Sequence, residues 1–305
     1  MTVLLLIGPT AVGKSEVAVA VAEAVGGEII SADARAIYRG LEIGTDRPPQ
    51  EILARVPHHL VGILDPLERY DAARFRADCE RLVAEIQGRG HRAIIAGGST
   101  LYVRALTRGL SPGPAADPEL RAELAQRPTA ELREELERVD PASAARIHPA
   151  DRVRLIRALE VHRLTGQPLT AAWGSEKAFP WPLVRVGLAV ERSELGRWIE
   201  ARVARMFAEG LVEEARRLWD RNLPPEAPAG RTIGYRELFP YFAGEYDLAE
   251  AKRRIVRNTK AYARRQLAFF RAEPRVHWLD VTGRTPPEVA TEIIAHWQAA
   301  ESGLE

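Results

Sequence analysis

With a single cysteine, Cys79, the chain of 305 residues holds no intrachain disulfide and suits a reducing compartment. Cys79 falls in a helical pattern with no acid–base partner nearby in sequence, which reads as a core or surface thiol and not as a nucleophile. Long apolar runs are missing too: none approaches the roughly 20 residues that span a bilayer. The opening MTVLLLIGPT lacks a basic start, is too short for a secretory leader and runs straight into a glycine motif. The expected compartment is therefore the cytoplasm, with no membrane partner. Repeats and low-complexity tracts are absent, and 46% apolar with 28% charged residues excludes a disordered chain. The length suits one elaborated domain or two.

Net charge is nearly absent as well, at +1, but its distribution is uneven. Between Ala251 and Arg275 stand Lys252, Arg253, Arg254, Arg257, Lys260, Arg264, Arg265, Arg271 and Arg275, against the single acid Glu273. Between Pro112 and Asp140 acids outnumber arginines, eight to four. A neutral chain with one strongly basic segment suggests a polyanion bound at a defined place.

The hydrophobic pattern alternates. Thr2–Gly8 reads as a buried parallel strand, Lys14–Val25 as a helix and Glu28–Asp33 as a second strand ending on an acid. Tyr70–Gly88 reads as a long helix and His91–Gly98 as a third strand ending in glycines. This is the signature of a doubly wound α/β core, with ligands at the carboxyl ends of the strands. After Leu110 the proline- and glycine-rich SPGPAADP breaks the pattern. Helical stretches follow at Pro118–Gln126, Thr129–Val139, Pro141–His148 and Asp151–Thr165. No strand pattern returns until Leu183–Val190, so residues 113–182 are read as a helical insertion between core parts 1–112 and 183–305. From Arg192 onward the chain is mostly helical, with a short strand at Val276–Val281 and a basic helix from Leu248 to about Ala272.

The motif GPTAVGKS places Gly8, Gly13, Lys14 and Ser15 in the spacing of a phosphate-binding loop, between a strand and a helix. Backbone N–H groups of such a loop converge on phosphate oxygens, Lys14 adds a point charge and Ser15 can hold Mg2+. The default ligand is a nucleoside triphosphate. A nucleotide hydrolase, however, needs an acid at the end of another core strand, and RAIIAGG ends in glycines. Asp33 is the strand-end acid, immediately after the loop helix. Two enzymes fit: a small-molecule kinase using ATP with Asp33 as base, or a transferase whose leaving group is pyrophosphate. An RNA-binding module with a decayed phosphate site is the non-enzymatic alternative, and the intact Gly13-Lys14-Ser15 and Asp33 argue against it.

Further motifs run in order over nearly the whole chain. They are SADARAIYRGLEIGTDRPP (31–49), PHHLVGILDP (57–66), AGGSTLYVRAL (96–106), DPELR (117–121), IHPADRVRLIRALEVHRLTG (147–166), RVARMFAEGLVEE (202–214), RTIGYREL (231–238) and TKAYARRQLAFFR (259–271). In these the chain resembles the tRNA dimethylallyltransferases, also called isopentenyl-tRNA transferases. The resemblance implies a P-loop NTPase-like parallel sheet flanked by helices, with the insertion clasping the tRNA anticodon stem-loop. It implies transfer of a dimethylallyl group from dimethylallyl diphosphate to N6 of the adenosine 3′-adjacent to the anticodon, releasing diphosphate and consuming no ATP. It implies that Gly8, Thr10, Ala11, Val12, Gly13, Lys14 and Ser15 hold the diphosphate, with Mg2+ on Ser15; the expected state is a monomer.

A carboxylate near a weakly nucleophilic exocyclic amine is useful to accept its proton, and Asp33 matches the family's base, although an aspartate after a strand is also a common turn cap. Ser99 stands where the family usually has threonine. Arg202 matches the arginine that meets the leaving pyrophosphate; taken alone it is a surface charge on an amphipathic helix. For tRNA the resemblance implies contacts from Asp33, Ala34, Arg35, Ala36, Ser99, Arg121, Val153, Arg154, Arg157, Arg231, Gly234, Tyr235, Arg236, Arg264, Arg265, Gln266 and Arg271. Arg253, Arg257, Lys260, Arg264 and Arg271 form one helical stripe, with Val256, Ala263, Leu267 and Phe270 on a packing face. Tyr38 and Tyr102 serve either as base stackers or as core. The target base must leave its stack to be reached. The chain departs from the family at Ala34-Arg35-Ala36, where Ser-x-Gln is common, at Ala150–Arg154, where Asn-Asp-x-Gln-Arg is usual, and at Phe269 in place of tryptophan.

Overall fold

The computed structural model describes residues 1–111, 113–174, 177–223 and 227–303. Two compact units emerge, Met1–Thr107 with Phe179–Glu305, and Arg108–Ala178. Pro112, the boundary drawn from the sequence, lies outside the described residues. Along the chain come β1 (Val3–Ile7), α1 (Lys14–Val25), β2 (Gly27–Ser31), α2 (Gln50–Arg55), β3 (His58–His59), α3 (Ala72–Gly88), β4 (Arg92–Gly97) and α4 (Thr100–Thr107). The second unit follows with α5 (Pro118–Gln126), α6 (Thr129–Val139), α7 (Pro141–Arg146) and α8 (Arg152–Thr165). The first unit then resumes with β5 (Leu183–Ala189), α9 (Arg192–Ala208), α10 (Leu211–Asp220), α11 (Tyr235–Phe242), α12 (Leu248–Arg271), β6 (Val276–Asp280) and α13 (Pro286–Glu301).

The first unit is a six-stranded sheet in the order β3-β2-β4-β1-β5-β6, parallel at every pairing. The P-loop NTPase-like α/β architecture is thus present. β1 (VLLLI) is buried at every position, as a central parallel strand covered on both faces must be. Val17, Val21 and Ala22 of α1 pack with Val186 and Leu188 of β5 and with Ile293 and Trp297 of α13 in one core. All strands run in one direction, so their carboxyl ends share one edge. There the turn after β1 carries the phosphate loop, the turn after β2 carries Asp33, and β4 ends on Gly97 with Gly98 and Ser99 following. Gly13 ends that loop at φ +87°, a left-handed conformation that favours glycine and lets α1 start directly at Lys14. Asp280 also ends a strand, but on the edge strand β6, where it accepts from Thr282.

In the second unit, Leu124, Leu132, Leu136, Leu155 and Leu159 form a separate core. Glu160, with no exposed surface, accepts two 2.8 Å hydrogen bonds from the Arg121 guanidinium and one from the Asp117 amide, and also pairs with Arg157. Asp151 caps α8 through the Arg154 amide. Among the described residues no helix is long and apolar enough to cross a membrane.

Candidate functional site

A cleft of about 1040 Å³ opens at the carboxyl ends of the strands in the first unit, lined among others by Thr10, Lys14, Ser15, Asp33, Asp46 and Arg202. Of the seven phosphate-loop residues, Thr10, Ala11, Gly13, Lys14 and Ser15 line it. Val12 is buried beneath, so only its backbone can serve a ligand, and Gly8 follows directly on β1. Ala11 holds φ +68°, a strained value for a residue with a Cβ, of the sort found where a loop is shaped around a ligand.

Half-buried Lys14 donates from Nζ to the Pro9 carbonyl at 2.7 Å. Desolvation, then the neighbouring Arg202 guanidinium, pulls its pKa down from 10.5 to about 8, against the opposing pull of Asp33, Glu16 and Asp46. Two cations held this close destabilise one another until an anion arrives between them. Arg202, on α9, donates to Thr10 Oγ1 at 2.7 Å and to the Thr45 carbonyl at 3.3 Å, and its Nε lies 3.3 Å from Asp46. Burial pulls its pKa down and Asp46 and Asp33 hold it up, so it stays charged as arginines do. The surface-charge reading of Arg202 is thereby excluded, since its side chain is 17% exposed.

Asp33 is held as a turn cap. Oδ1 accepts from the Arg35 and Ala36 amides at 2.7 and 3.2 Å, which makes it the cap of its turn. Among the described residues Oδ2 accepts no hydrogen bond, so a rigidly oriented carboxylate keeps one oxygen available. Ser99 donates its amide to the Ala32 carbonyl and accepts from Val103 at the start of α4, which ties it to the residue preceding Asp33. Tyr262, which sequence reasoning did not single out, lines the same cleft. Burial and then the Asp33 carboxylate push its phenol up to about 12, so it enters the cleft as a neutral donor.

Several residues expected at RNA are placed otherwise. Gln266 is 2% exposed because its amide bridges two elements: Oε1 accepts from the Thr10 amide at 2.8 Å and Nε2 donates to the Gly98 carbonyl at 2.7 Å. Tyr235 has no exposed surface and donates to Glu214 at 2.7 Å, so its side chain cannot touch RNA. Ala36, Tyr38 and Tyr102 are buried, and Tyr102 stacks on Phe75 at 4.1 Å, which settles the two tyrosines as core. Arg121 and Arg157 hold Glu160, which compensates a buried charge, and Arg236 pairs with Glu237. Gly234 donates its amide to Glu237 at 2.8 Å at the start of α11. By contrast Val153 is 79% exposed, Arg154 is exposed beside Asp151, and Arg231, Arg264, Arg265 and Arg271 are exposed while Ala34 and Arg35 are half-buried.

On α12 the stripe is interrupted: Lys260 pairs with Glu200 of α9 and Arg253 with Glu250, whereas Arg257, Arg264 and Arg271 have no ion pair among the described residues. The buried line of α12 runs through Ile255, Ala263, Gln266 and Phe270, and Val256 and Leu267 are only half-buried.

No group of three histidine, cysteine or carboxylate side chains forms a metal cage among the described residues. Ser15, exposed at the start of α1, offers one hydroxyl. That donor set fits an ion carried mainly by phosphate oxygens and water, the habit of Mg2+.

The profile of the family "IPP transferase" matches residues 36–273. A tRNA dimethylallyltransferase of Geobacter sulfurreducens is 47% identical over 280 residues, covering 90% of each chain. Another, tRNA dimethylallyltransferase 1 of Citrifermentans bemidjiense, is 48% identical over 284 residues, covering 92% of each. The crystal structure of a tRNA isopentenylpyrophosphate transferase from Bacillus halodurans superposes with a TM-score of 0.74 at 35% identity, over 99% of this chain and 98% of that one. With that family's profile matched over residues 36–273 and relatives 47–48% identical over 90–92% of their length, the chain belongs to the IPP transferases.

Proposed function

We propose that the cleft holds dimethylallyl diphosphate with its phosphates on the Gly8–Ser15 loop, and that the chain transfers the dimethylallyl group to N6 of the adenosine 3′-adjacent to a tRNA anticodon. The observation that carries this is the pairing of a cation-rich phosphate loop with a capped carboxylate whose second oxygen is free, in a cleft where β4 supplies no acid for nucleotide hydrolysis. The N6 amine attacks the first carbon of the donor as the carbon–oxygen bond to diphosphate breaks. The amine proton passes to Asp33 Oδ2, and the departing diphosphate keeps the bonding electron pair. Its growing charge meets Lys14, the Arg202 guanidinium and the loop amides. Mg2+ on Ser15, when bound, adds Lewis-acid stabilisation to the same oxygens. Tyr262 lines the cleft close enough to Asp33 to feel its charge and suits orientation of the incoming base, and Ser99, tied through its amide to Ala32, adds a hydroxyl near the end of β4. Exposed Arg257, Arg264 and Arg271 suit phosphodiester contacts, and Val153 and Arg154 suit the second unit's part in holding the anticodon stem-loop. We infer that the chain acts in the cytoplasm and as a monomer.

The test is the donor. Unmodified tRNA is expected to trigger pyrophosphate release from dimethylallyl diphosphate and no phosphate release from ATP. ADP formation from ATP with its terminal phosphoryl group passed to a small-molecule acceptor, and no pyrophosphate from the prenyl donor, would make the site that of a kinase.

A further inference from the structure

Glu214 lies on α10, outside the cleft, and is 1% exposed. A buried carboxylate needs hydrogen-bond donors or a cation, and among the described residues it has no cation: all of its partners there are neutral. Oε2 accepts from the amides of Glu42 and Ile43, both at 2.9 Å, and Oε1 accepts from the Gly44 amide at 2.9 Å and the Tyr235 hydroxyl at 2.7 Å. Three successive amides thus converge on one side chain more than 160 residues away in sequence. The loop they belong to continues into Thr45 and Asp46, the two residues that hold Arg202 from below. Arg202 in turn holds Thr10 of the phosphate loop. Asp46 adopts φ +55°, a left-handed turn conformation that aspartate tolerates.

Gly44 is required by the same arrangement. A Cβ there would sit 2.4 Å from the Tyr235 ring, which has no exposed surface and no room to retreat. Burial and the Glu214 carboxylate push the Tyr235 phenol well up, so the hydroxyl remains a donor. The motifs GLVEE and GYREL therefore meet the EIG of residues 42–44 at a single carboxylate.

We propose that Glu214 is a positioning residue: with Tyr235 it fixes the loop Glu42–Asp46 so that Arg202 is aimed at the diphosphate. The proposal rests on the reading of the cleft as a diphosphate site. E214Q keeps size but turns one oxygen into an NH2 group, which in either orientation faces a backbone N–H, at Gly44 or at Glu42 and Ile43. Inorganic pyrophosphate binding by calorimetry and steady-state kinetics with both substrates form the test.

E214Q is expected to weaken pyrophosphate binding about tenfold and to raise KM for dimethylallyl diphosphate by a similar factor, the scale of one lost interaction with a charged group. KM for tRNA is expected to stay within about twofold, a split that general loss of fold would not produce. Y235F, which keeps the ring and removes one of the four hydrogen bonds, is expected to give about a two- to threefold effect in the same direction, and answers the question if E214Q does not fold. Binding and donor KM equal to wild type in folded E214Q, or in Y235F where E214Q does not fold, overturns the positioning role alone. No pyrophosphate binding by the wild-type protein overturns the diphosphate reading and the proposal with it.

Discussion

Replacing Gln266 by methionine keeps the length of the side chain and removes both of its hydrogen bonds. The Gly98 carbonyl and the Thr10 amide lose their partners at 2.7 and 2.8 Å. A buried polar group left unsatisfied costs about 1–3 kcal/mol. Gly98 is buried and takes the full penalty, whereas half-buried Thr10 can recruit water, so the sum is about 2–4 kcal/mol. For a unit of this size each kcal/mol moves Tm by about 2–4 °C, and Q266M is expected to melt roughly 5–15 °C lower by calorimetry. Thr10 belongs to the phosphate loop and also carries Arg202, so KM for dimethylallyl diphosphate should rise about tenfold while KM for tRNA holds. An unchanged Tm together with an unchanged donor KM would refute the bridging role, and a rise confined to KM for tRNA would return Gln266 to the RNA interface.

Three further outcomes follow from charge. The Lys14 ammonium, pulled down to about 8, is charged below that pH and neutral above it, so donor affinity should fall between about pH 7 and 9 in free enzyme; K14R, charged throughout, should lack that inflection. Glu28 is 4% exposed in its side chain; burial pushes it up, but hydrogen bonds from Arg89, His59 and His91 prevail and bring it from 4.5 to about 2. Because its folded pKa is the lower one, it stabilises the fold above pH 4.5 and loses that effect as pH falls toward 2. The gap is worth roughly 3 kcal/mol, so E28Q should flatten the acid limb of a pH–stability curve. In the second unit E160Q leaves Arg121 and Arg157 facing a neutral amide; with both guanidiniums more than a third exposed to solvent, the unit should lose about 1–3 kcal/mol, seen as faster hydrogen exchange in α5 and α8 with α1 and β1 unchanged.

Much of this architecture is legible along the chain, for local reasons. Lys14–Val25, Pro118–Gln126 and Thr129–Val139 are helices at the expected residues, because their periodicity and flanking glycine, aspartate or proline are local signals. The strands begin and end within a residue or two of the expected bounds, since their apolar runs are interrupted only by turns. His58–His59 was not expected as a strand: two polar residues carry no pattern, and their pairing with Ile29 and Ile30 is a property of the sheet. α2 and α4, six and eight residues long, are too short for a periodic signal to rise above the surrounding motifs.

At the site, the loop and Asp33 were visible as motif and strand end. What joins them was not. Gln266 reads as one more polar residue of a basic helix, and only the fold brings it to Thr10 and Gly98. Arg121 reads as an exposed cation because its partner Glu160 lies 39 residues on, and Tyr235 reads as a recognition residue because aromatic motifs do not reveal depth. Glu214 was visible only as the last letters of GLVEE, since its partners are backbone amides, which no side-chain pattern announces.

The central claim is that Asp33 takes a proton from an adenosine amine while a diphosphate leaves the loop beside it. Single-turnover transfer of radiolabelled dimethylallyl from its diphosphate to unmodified tRNA, without any nucleoside triphosphate and with both substrates saturating, tests it in wild type and Asp33→Asn. The expected result is label on adenosine N6 with wild type and a rate roughly 10²–10⁴-fold lower with the variant, donor binding being retained. Equal rates in the two proteins, or no label transfer by wild type without ATP, would contradict it.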